Sequence, residues 1–138
     1  MAVVVDDALL LGVLAGAAPV EVQGTVYTTG LWNFRLGQAL HPGASTEALA
    51  RRLNQLAPER QRRVLPLVDE LPPSIGLLSM RLLVPVIRQL DPAARLNLLA
   101  AEALATAYIV GASVLVATDA PLLRRACEAA EIEYSVTA

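Results

Sequence analysis

The chain has little of the chemistry on which most small enzymes depend. Its 138 residues include one cysteine, Cys127, and one histidine, His41. A single cysteine excludes an intramolecular disulfide and is typical of a reducing compartment. The lone histidine leaves no basis for a Ser-His-Asp triad, a zinc site of the usual composition or histidine-based acid–base catalysis. Cys127 stands among alanines in RRACEAAEIE, which indicates a small buried thiol rather than a nucleophile.

Lysine is absent, so all eleven basic residues are arginine. The net charge of −2 and the isoelectric point near 5.3 provide no overall field that would attract nucleic acid. The stretch PERQRRV gathers three arginines, which we interpret either as a solvated helix face or as a local contact for a phosphate backbone: Arg60, Arg62 and Arg63.

Aromatic residues are also scarce, at 4% of a chain that is 55% hydrophobic. The core must therefore consist mainly of leucine, valine and alanine, and apolar residues are left over in a single domain of this length. The surplus predicts a homodimer or other homo-oligomer, with SIGLLSMRLLVPVIRQL (74–90) as the candidate contact face.

The amino terminus carries no cationic stretch of the secretory kind, and 96–117 changes from helix-like to β-branched character. We therefore expect a cytoplasmic protein outside the membrane.

Strand-like and helix-like segments alternate along the chain. Short buried strands are predicted at 3–5 and 113–119, an edge strand in EVQGTVYTT (21–29) and a closing strand in IEYSVT (132–137). Helices are predicted at 8–14 and at 30–40, from Asp91–Pro92 to about 110, and from Pro121 onward. A further helix is predicted to begin after a cap at Ser45 or Thr46, with Glu47 in its first turn. Between 57 and 90, prolines punctuate two or three further helices. This order predicts an α/β fold in which helices cover a central parallel sheet.

Both buried strands run directly into aspartate. VVVDD ends in Asp6 and Asp7, SVLVATD ends in Asp119, and the helix before the second strand carries a lone carboxylate, Glu102. If the strands are parallel neighbours, the aspartates lie at the carboxyl edge of the sheet, where open α/β folds bind ligands. Acids gathered there suit a hard cation such as Mg²⁺, and the matching chemistry is phosphodiester hydrolysis.

A second interpretation of the acids stays open. Asp6, Asp7 and Asp119 each stand just before a helix, where an aspartate caps free backbone amides. Glu102 would then be a polar residue at a helix contact or at the surface. On this interpretation the chain is a small-ligand or nucleotide-binding α/β domain without a metal.

The two ends of the chain resemble the PIN-domain family, the nuclease fold of many prokaryotic toxin–antitoxin pairs. VVVDDALLLGVLAG resembles the family's opening strand, catalytic Asp and first helix. LAAEALATAYIVGASVLVATDAPLLRRACEAAEIEYSV resembles its closing helix, strand, Asp and helix. The resemblance implies a three-layer α/β/α sandwich that binds Mg²⁺ or Mn²⁺ and cleaves single-stranded RNA, as a toxin with an antitoxin partner. It assigns catalytic and metal-binding roles to Asp6, Glu102 and Asp119, with Asp7 as a neighbour.

The chain departs from the family's pattern at two acids. The family usually has Asp about one turn before Glu102, where this chain has Leu99 and Ala100. Its second helix usually supplies a Glu, whereas this chain has no carboxylate between Glu21 and Glu47. Asn33 in that region could serve as an auxiliary ligand, like Asp7, but it offers only a neutral oxygen. The depleted set predicts either a ribonuclease with a sparse site or a PIN-like domain that no longer cleaves and serves as a protein-interaction module.

Overall fold

The computed structural model describes residues 1–41 and 48–137. Its strands are β1 (Ala2–Val5), β2 (Thr25–Thr28), β3 (Ile75–Leu77), β4 (Ser113–Val116) and β5 (Tyr134–Val136). Its α-helices are α1 (Asp7–Leu14), α2 (Gly30–Ala39), α3 (Ala48–Asn54), α4 (Pro58–Asp69), α5 (Met80–Gln89), α6 (Leu98–Val110) and α7 (Pro121–Ala129), with a 3₁₀ turn at Asp91–Arg95.

The five strands form one parallel sheet in the order β3-β2-β1-β4-β5. The chain moves outward from β1 to β3 and then returns to the other side of β1 to form β4 and β5. β1 and β4 are therefore adjacent, with Val5 paired to Leu115, and the strand order reverses between them. The predicted α/β/α architecture with a parallel sheet is confirmed.

Alternating side chains of β1 and β4 divide the core into two apolar layers. Val4, Val114 and Val116 pack with residues of α6 and α7 on one face of the sheet. Val3, Val5 and Leu115 pack with residues of α1 and α4 on the other face. Because both faces are covered, these strands are apolar except for Ser113 at the start of β4, as is typical of buried parallel strands.

The prediction that 21–29 forms an edge strand is wrong. β2 lies between β1 and β3, and the edges of the sheet are β3 and β5. β2 carries polar residues in the interior because Thr28 donates its hydroxyl to the carbonyl of Val5 at 3.0 Å. Its outer neighbour β3 falls in the stretch predicted to be helical, where Gly76 leaves room for the ring of Tyr27 on the paired position of β2.

One helix prediction also needs correction. The segment from Asp91 to 110 is not one helix, because the 3₁₀ turn ends at Arg95 and Asn97 caps α6, accepting the Ala100 amide at 2.9 Å. Between 57 and 90 the structure has two helices, as predicted, and Pro66 and Pro85 lie inside them. The predicted cap at Ser45 or Thr46 and the first-turn Glu47 lie outside the described residues.

The arginine cluster of α4 contacts the end of another helix. Arg60 donates from Nη1 to the carbonyl oxygens of Ala15 and Gly16, at 2.9 and 2.7 Å, just beyond the last turn of α1. Arg63 also lies against Gly16, whose φ of +71° ends the helix in a left-handed conformation. A guanidinium at this position satisfies free carbonyls and opposes the negative end of the helix dipole.

Cys127 is buried, and its burial raises the pKa of the thiol to about 11, so the sulfur is protonated at neutral pH. Across residues 1–41 and 48–137, every helix is too short or too polar to span a bilayer.

Candidate functional site

A cleft of about 380 Å³ opens where the strand order reverses, beyond the carboxyl ends of β1 and β4. Open parallel sheets bind their ligands at this position because the loops on either side diverge there. The polar residues that line the cleft are Asp6, Asp7, Arg35, Arg52, Asn97, Thr118 and Asp119. Apolar side chains, among them Trp32, Leu49, Leu99 and Leu123, complete its walls. The topology thus brings the aspartates of both strand ends to one concavity.

Asp6 joins α1 to the loop that follows β4. Its Oδ1 accepts the Leu9 amide at 3.0 Å and caps α1, and its Oδ2 accepts the Ala117 amide at 2.8 Å. The side chain is buried, and this desolvation raises the pKa of the carboxyl above 3.8 despite the amides that stabilise its charge. Asp6 is therefore the N-cap that its position before a helix predicts.

Asp7 also lines the cleft and is balanced by an arginine. Its Oδ1 accepts the neighbouring amide of Ala8 at 2.8 Å. Its Oδ2 is buried and accepts no hydrogen bond, but it lies 3.5 Å from Nε of Arg35 on α2. The guanidinium compensates the charge of this carboxylate without satisfying its second oxygen.

Glu102 is only 1% exposed and does not line the cleft. Its Oε1 accepts the Leu31 amide at 3.0 Å, in the first turn of α2. The Thr29 hydroxyl accepts the next amide, that of Trp32, at 3.1 Å. Glu102 therefore connects α6 to the positive end of α2, where a carboxylate is stabilised by free amides and by the helix dipole.

Asp119 is held by two partners at the rim of the cleft. Its Oδ2 accepts Nη1 of Arg124 at 2.8 Å, and its Oδ1 accepts the hydroxyl of Tyr134 at 2.9 Å. The same hydroxyl accepts the Ala120 amide at 2.8 Å, so one phenol connects β5 to the start of α7. Burial is the main cause that raises the pKa of Tyr134 to about 12, which keeps this donor protonated at neutral pH.

Asn33, the neutral oxygen predicted as an auxiliary ligand, points away from the acids. Its Nδ2 donates to the carbonyl of Val68 on α4 at 3.4 Å, and its Oδ1 is buried without a partner. Asn33 does not line the cleft. Its side chain instead spans the contact between α2 and α4.

The donors do not fit the ion site that the resemblance implies. Within residues 1–41 and 48–137, no three histidine, cysteine, aspartate or glutamate residues converge as metal ligands. Asp6, Asp7 and Asp119 share the cleft, whereas Glu102 lies outside it. Backbone amides, the guanidinium of Arg124 and the hydroxyl of Tyr134 already stabilise the negative charge of these carboxylates, as a divalent cation would.

Sequence reasoning missed the basic side of the cleft. Arg35 and Arg52 both line it, and Arg124 reaches Asp119 from the next helix. Only the place of Arg124, five residues beyond Asp119 in the first turn of the helix that follows, offered a local signal for such a contact. The contact between Arg35 and Asp7 joins separate helices and left no trace in the local pattern.

A scan against protein-family models matches no family, and a search of curated proteins finds no match to this chain.

Proposed function

We propose that this chain is a PIN-like domain that does not cleave RNA and serves as a protein-interaction module, assembling as a homodimer. The observation that carries the proposal is that Asp6, Glu102 and Asp119 are each engaged by groups of the protein itself. Each of these contacts joins a carboxylate to another element or to a helix end. The acids that resemble a nuclease site therefore have a structural use that requires no metal.

The interaction surface is the β3–α5 face, which we define by the exposed side chains of Leu77 on β3 and of Met80 and Val84, one helical turn apart on α5. They are 46%, 37% and 44% exposed, respectively. β3 is at the edge of the sheet, and among the described residues no strand pairs with its outer side. An open strand edge beside exposed aliphatic side chains is suited to pairing with a second copy.

Light scattering during size exclusion tests the homodimer. The double substitution Met80→Glu and Val84→Glu places two charges on the β3–α5 face and is expected to convert the dimer to a monomer. Leu65→Glu is the matched control, because Leu65 is exposed to a similar degree, 48%, but lies on α4. A wild-type chain that is monomeric at all concentrations, or a dimer that tolerates both charges, would contradict this surface.

A second candidate function is favoured by the cleft itself. Asp6, Asp7 and Asp119 line a concavity at the strand-order reversal together with Arg35 and Arg52. On this alternative the chain is a cytoplasmic Mg²⁺- or Mn²⁺-dependent ribonuclease, a toxin restrained by an antitoxin, with arginines that contact the phosphates of single-stranded RNA.

Cleavage of a labelled single-stranded RNA with MnCl₂ distinguishes the two candidates. The interaction module is expected to leave the RNA intact. The ribonuclease is expected to cleave it and to lose that activity in both Asp6→Asn and Asp119→Asn. Cleavage by the wild-type chain that both substitutions abolish would replace the first proposal by the second.

A further inference from the structure

We infer that Arg35 and Arg124 act as built-in counter-ions of the cleft, and that they hold the carboxylates of Asp7 and Asp119 in place of a divalent cation. The inference rests on the proposed non-cleaving function and explains how acids at two strand ends are stable together. These two arginines decide whether the cleft accepts a cation.

Arg35 supplies charge to an oxygen that has no other partner. The Asp7 side chain is 12% exposed, and its Oδ2 accepts no hydrogen bond. A buried carboxylate oxygen in this state needs an opposite charge nearby. Nε of Arg35 lies 3.5 Å away, while the arginine side chain as a whole is 54% exposed. Arg35 thus sits at the mouth of the cleft and faces solvent on its other side.

Arg124 supplies the opposite charge for Asp119, the aspartate that follows β4. Its Nη1 lies 2.8 Å from Oδ2 of Asp119, and the two side chains are 43% and 36% exposed. Tyr134 holds the other carboxylate oxygen, so Asp119 has both of its oxygens engaged on the α7 side. A cation that binds Asp119 would therefore lie beside the positive charge of this arginine.

The charges determine which occupant is favoured. Mg²⁺ and Mn²⁺ need only one or two protein carboxylates, since water completes their coordination. Asp7 and Asp119 line one cleft and could supply them, but each has a guanidinium beside it. Repulsion between a guanidinium and a divalent cation roughly 6 Å away, screened as in bulk water, corresponds to about a tenfold loss of affinity. Two such arginines together correspond to about a hundredfold loss of affinity.

Removal of both arginines should therefore create cation affinity. We expect Arg35→Gln/Arg124→Gln to bind Mn²⁺ at least about tenfold more tightly than the wild-type chain. Isothermal titration with MnCl₂ measures the affinity, and a rise in the thermal midpoint with MnCl₂ provides a second readout. Circular dichroism establishes that each variant is folded, and the two single variants repeat the test with smaller perturbations.

Arg52→Gln is the matched control. Arg52 lines the same cleft but belongs to neither ion pair, so its substitution removes an equal charge without releasing Asp7 or Asp119. It is expected to change Mn²⁺ affinity much less than Arg35→Gln. An equal gain in Arg52→Gln would overturn the inference, because it would show that the total charge of the cleft is what matters.

The outcomes separate this inference from the proposed function. Tight Mn²⁺ binding by the wild-type chain overturns both. If neither the wild-type chain nor the folded double variant binds Mn²⁺, the counter-ion role alone is overturned, and the interaction module stands. Binding that appears only when Arg35 and Arg124 are replaced supports the inference.

Discussion

Replacement of Glu102 by alanine should destabilise the protein whether or not a metal is present. Glu102 is 1% exposed and accepts the Leu31 amide at 3.0 Å, so the substitution leaves this amide without its acceptor inside the protein. The loss of the acceptor by this partly buried amide costs about 1–2 kcal/mol, the lower part of the range for a buried donor. The space left by the side chain adds roughly 1 kcal/mol more.

Two effects oppose this loss. Alanine is the better helix former by a few tenths of a kcal/mol, and the variant no longer buries a polar carboxyl group. Because the carboxylate faces the positive end of α2, the helix dipole offsets part of its burial cost by about 0.3–1 kcal/mol. The net expectation is a loss of about 2 kcal/mol of unfolding free energy, or roughly 8 °C in the thermal midpoint for a chain of this size.

Urea and thermal unfolding, with and without MnCl₂, measure the effect. Glu102→Gln keeps the carbonyl acceptor and is expected to lose only about 0.5–1 kcal/mol. Glu128→Ala, at an exposed position of α7, is the matched control and should change stability by less than about 0.5 kcal/mol. An alanine variant as stable as the wild type, or a loss that appears only with MnCl₂ present, would refute the assignment of Glu102 as an interhelical cap.

Three further outcomes are expected. Burial raises the folded-state pKa of Asp6 above 3.8, so the native state binds a proton more readily than the unfolded state, and the contribution of Asp6 to stability falls as pH rises from 3.8 through the folded pKa. Unfolding free energies of the wild type and of Asp6→Asn, measured from about pH 3 to about pH 7, should show this decline only in the wild type. Parallel curves for the two proteins would contradict this expectation. Arg60→Gln removes two hydrogen bonds to the end of α1 and should lower the free energy of unfolding in urea by about 1–2 kcal/mol. Arg62→Gln, at an exposed position of the same helix, should lower it by less than about 0.5 kcal/mol. Equal losses in the two variants would argue against a capping role of Arg60. Cys127 is buried with a pKa near 11, so a thiol reagent should label it only after unfolding, and rapid labelling of the native protein would disprove its burial.

The sheet could be predicted where burial left a clear pattern. The apolar runs of β1 and β4, each followed by aspartate, identified two central strands and a helix-covered parallel sheet. β3 escaped prediction because its three residues include Gly76 and lie in a long apolar stretch that matched a helix. Without β3, the polar β2 resembled an edge strand, whereas the structure places it in the interior.

The candidate site was predictable only in part. Parallel strands that end in aspartate must present those residues at one edge, and Asp6, Asp7 and Asp119 do line one cleft. Their catalytic and metal-binding roles, and that of Glu102, stay predictions. The contacts made by Glu102, Arg35 and Tyr134 depend on residues 71, 28 and 15 positions away, beyond any local pattern.

The sequence by itself determined the α/β class, the two central strands and the edge to which their aspartates belong. Periodic burial and strand ends are local properties, since each is decided by a residue and its near neighbours. Only the tertiary structure decided which strands lie at the edges and which charge balances each carboxylate. Those outcomes depend on packing between distant segments, where the amide of Leu31 and the guanidinium of Arg35 come to lie beside Glu102 and Asp7.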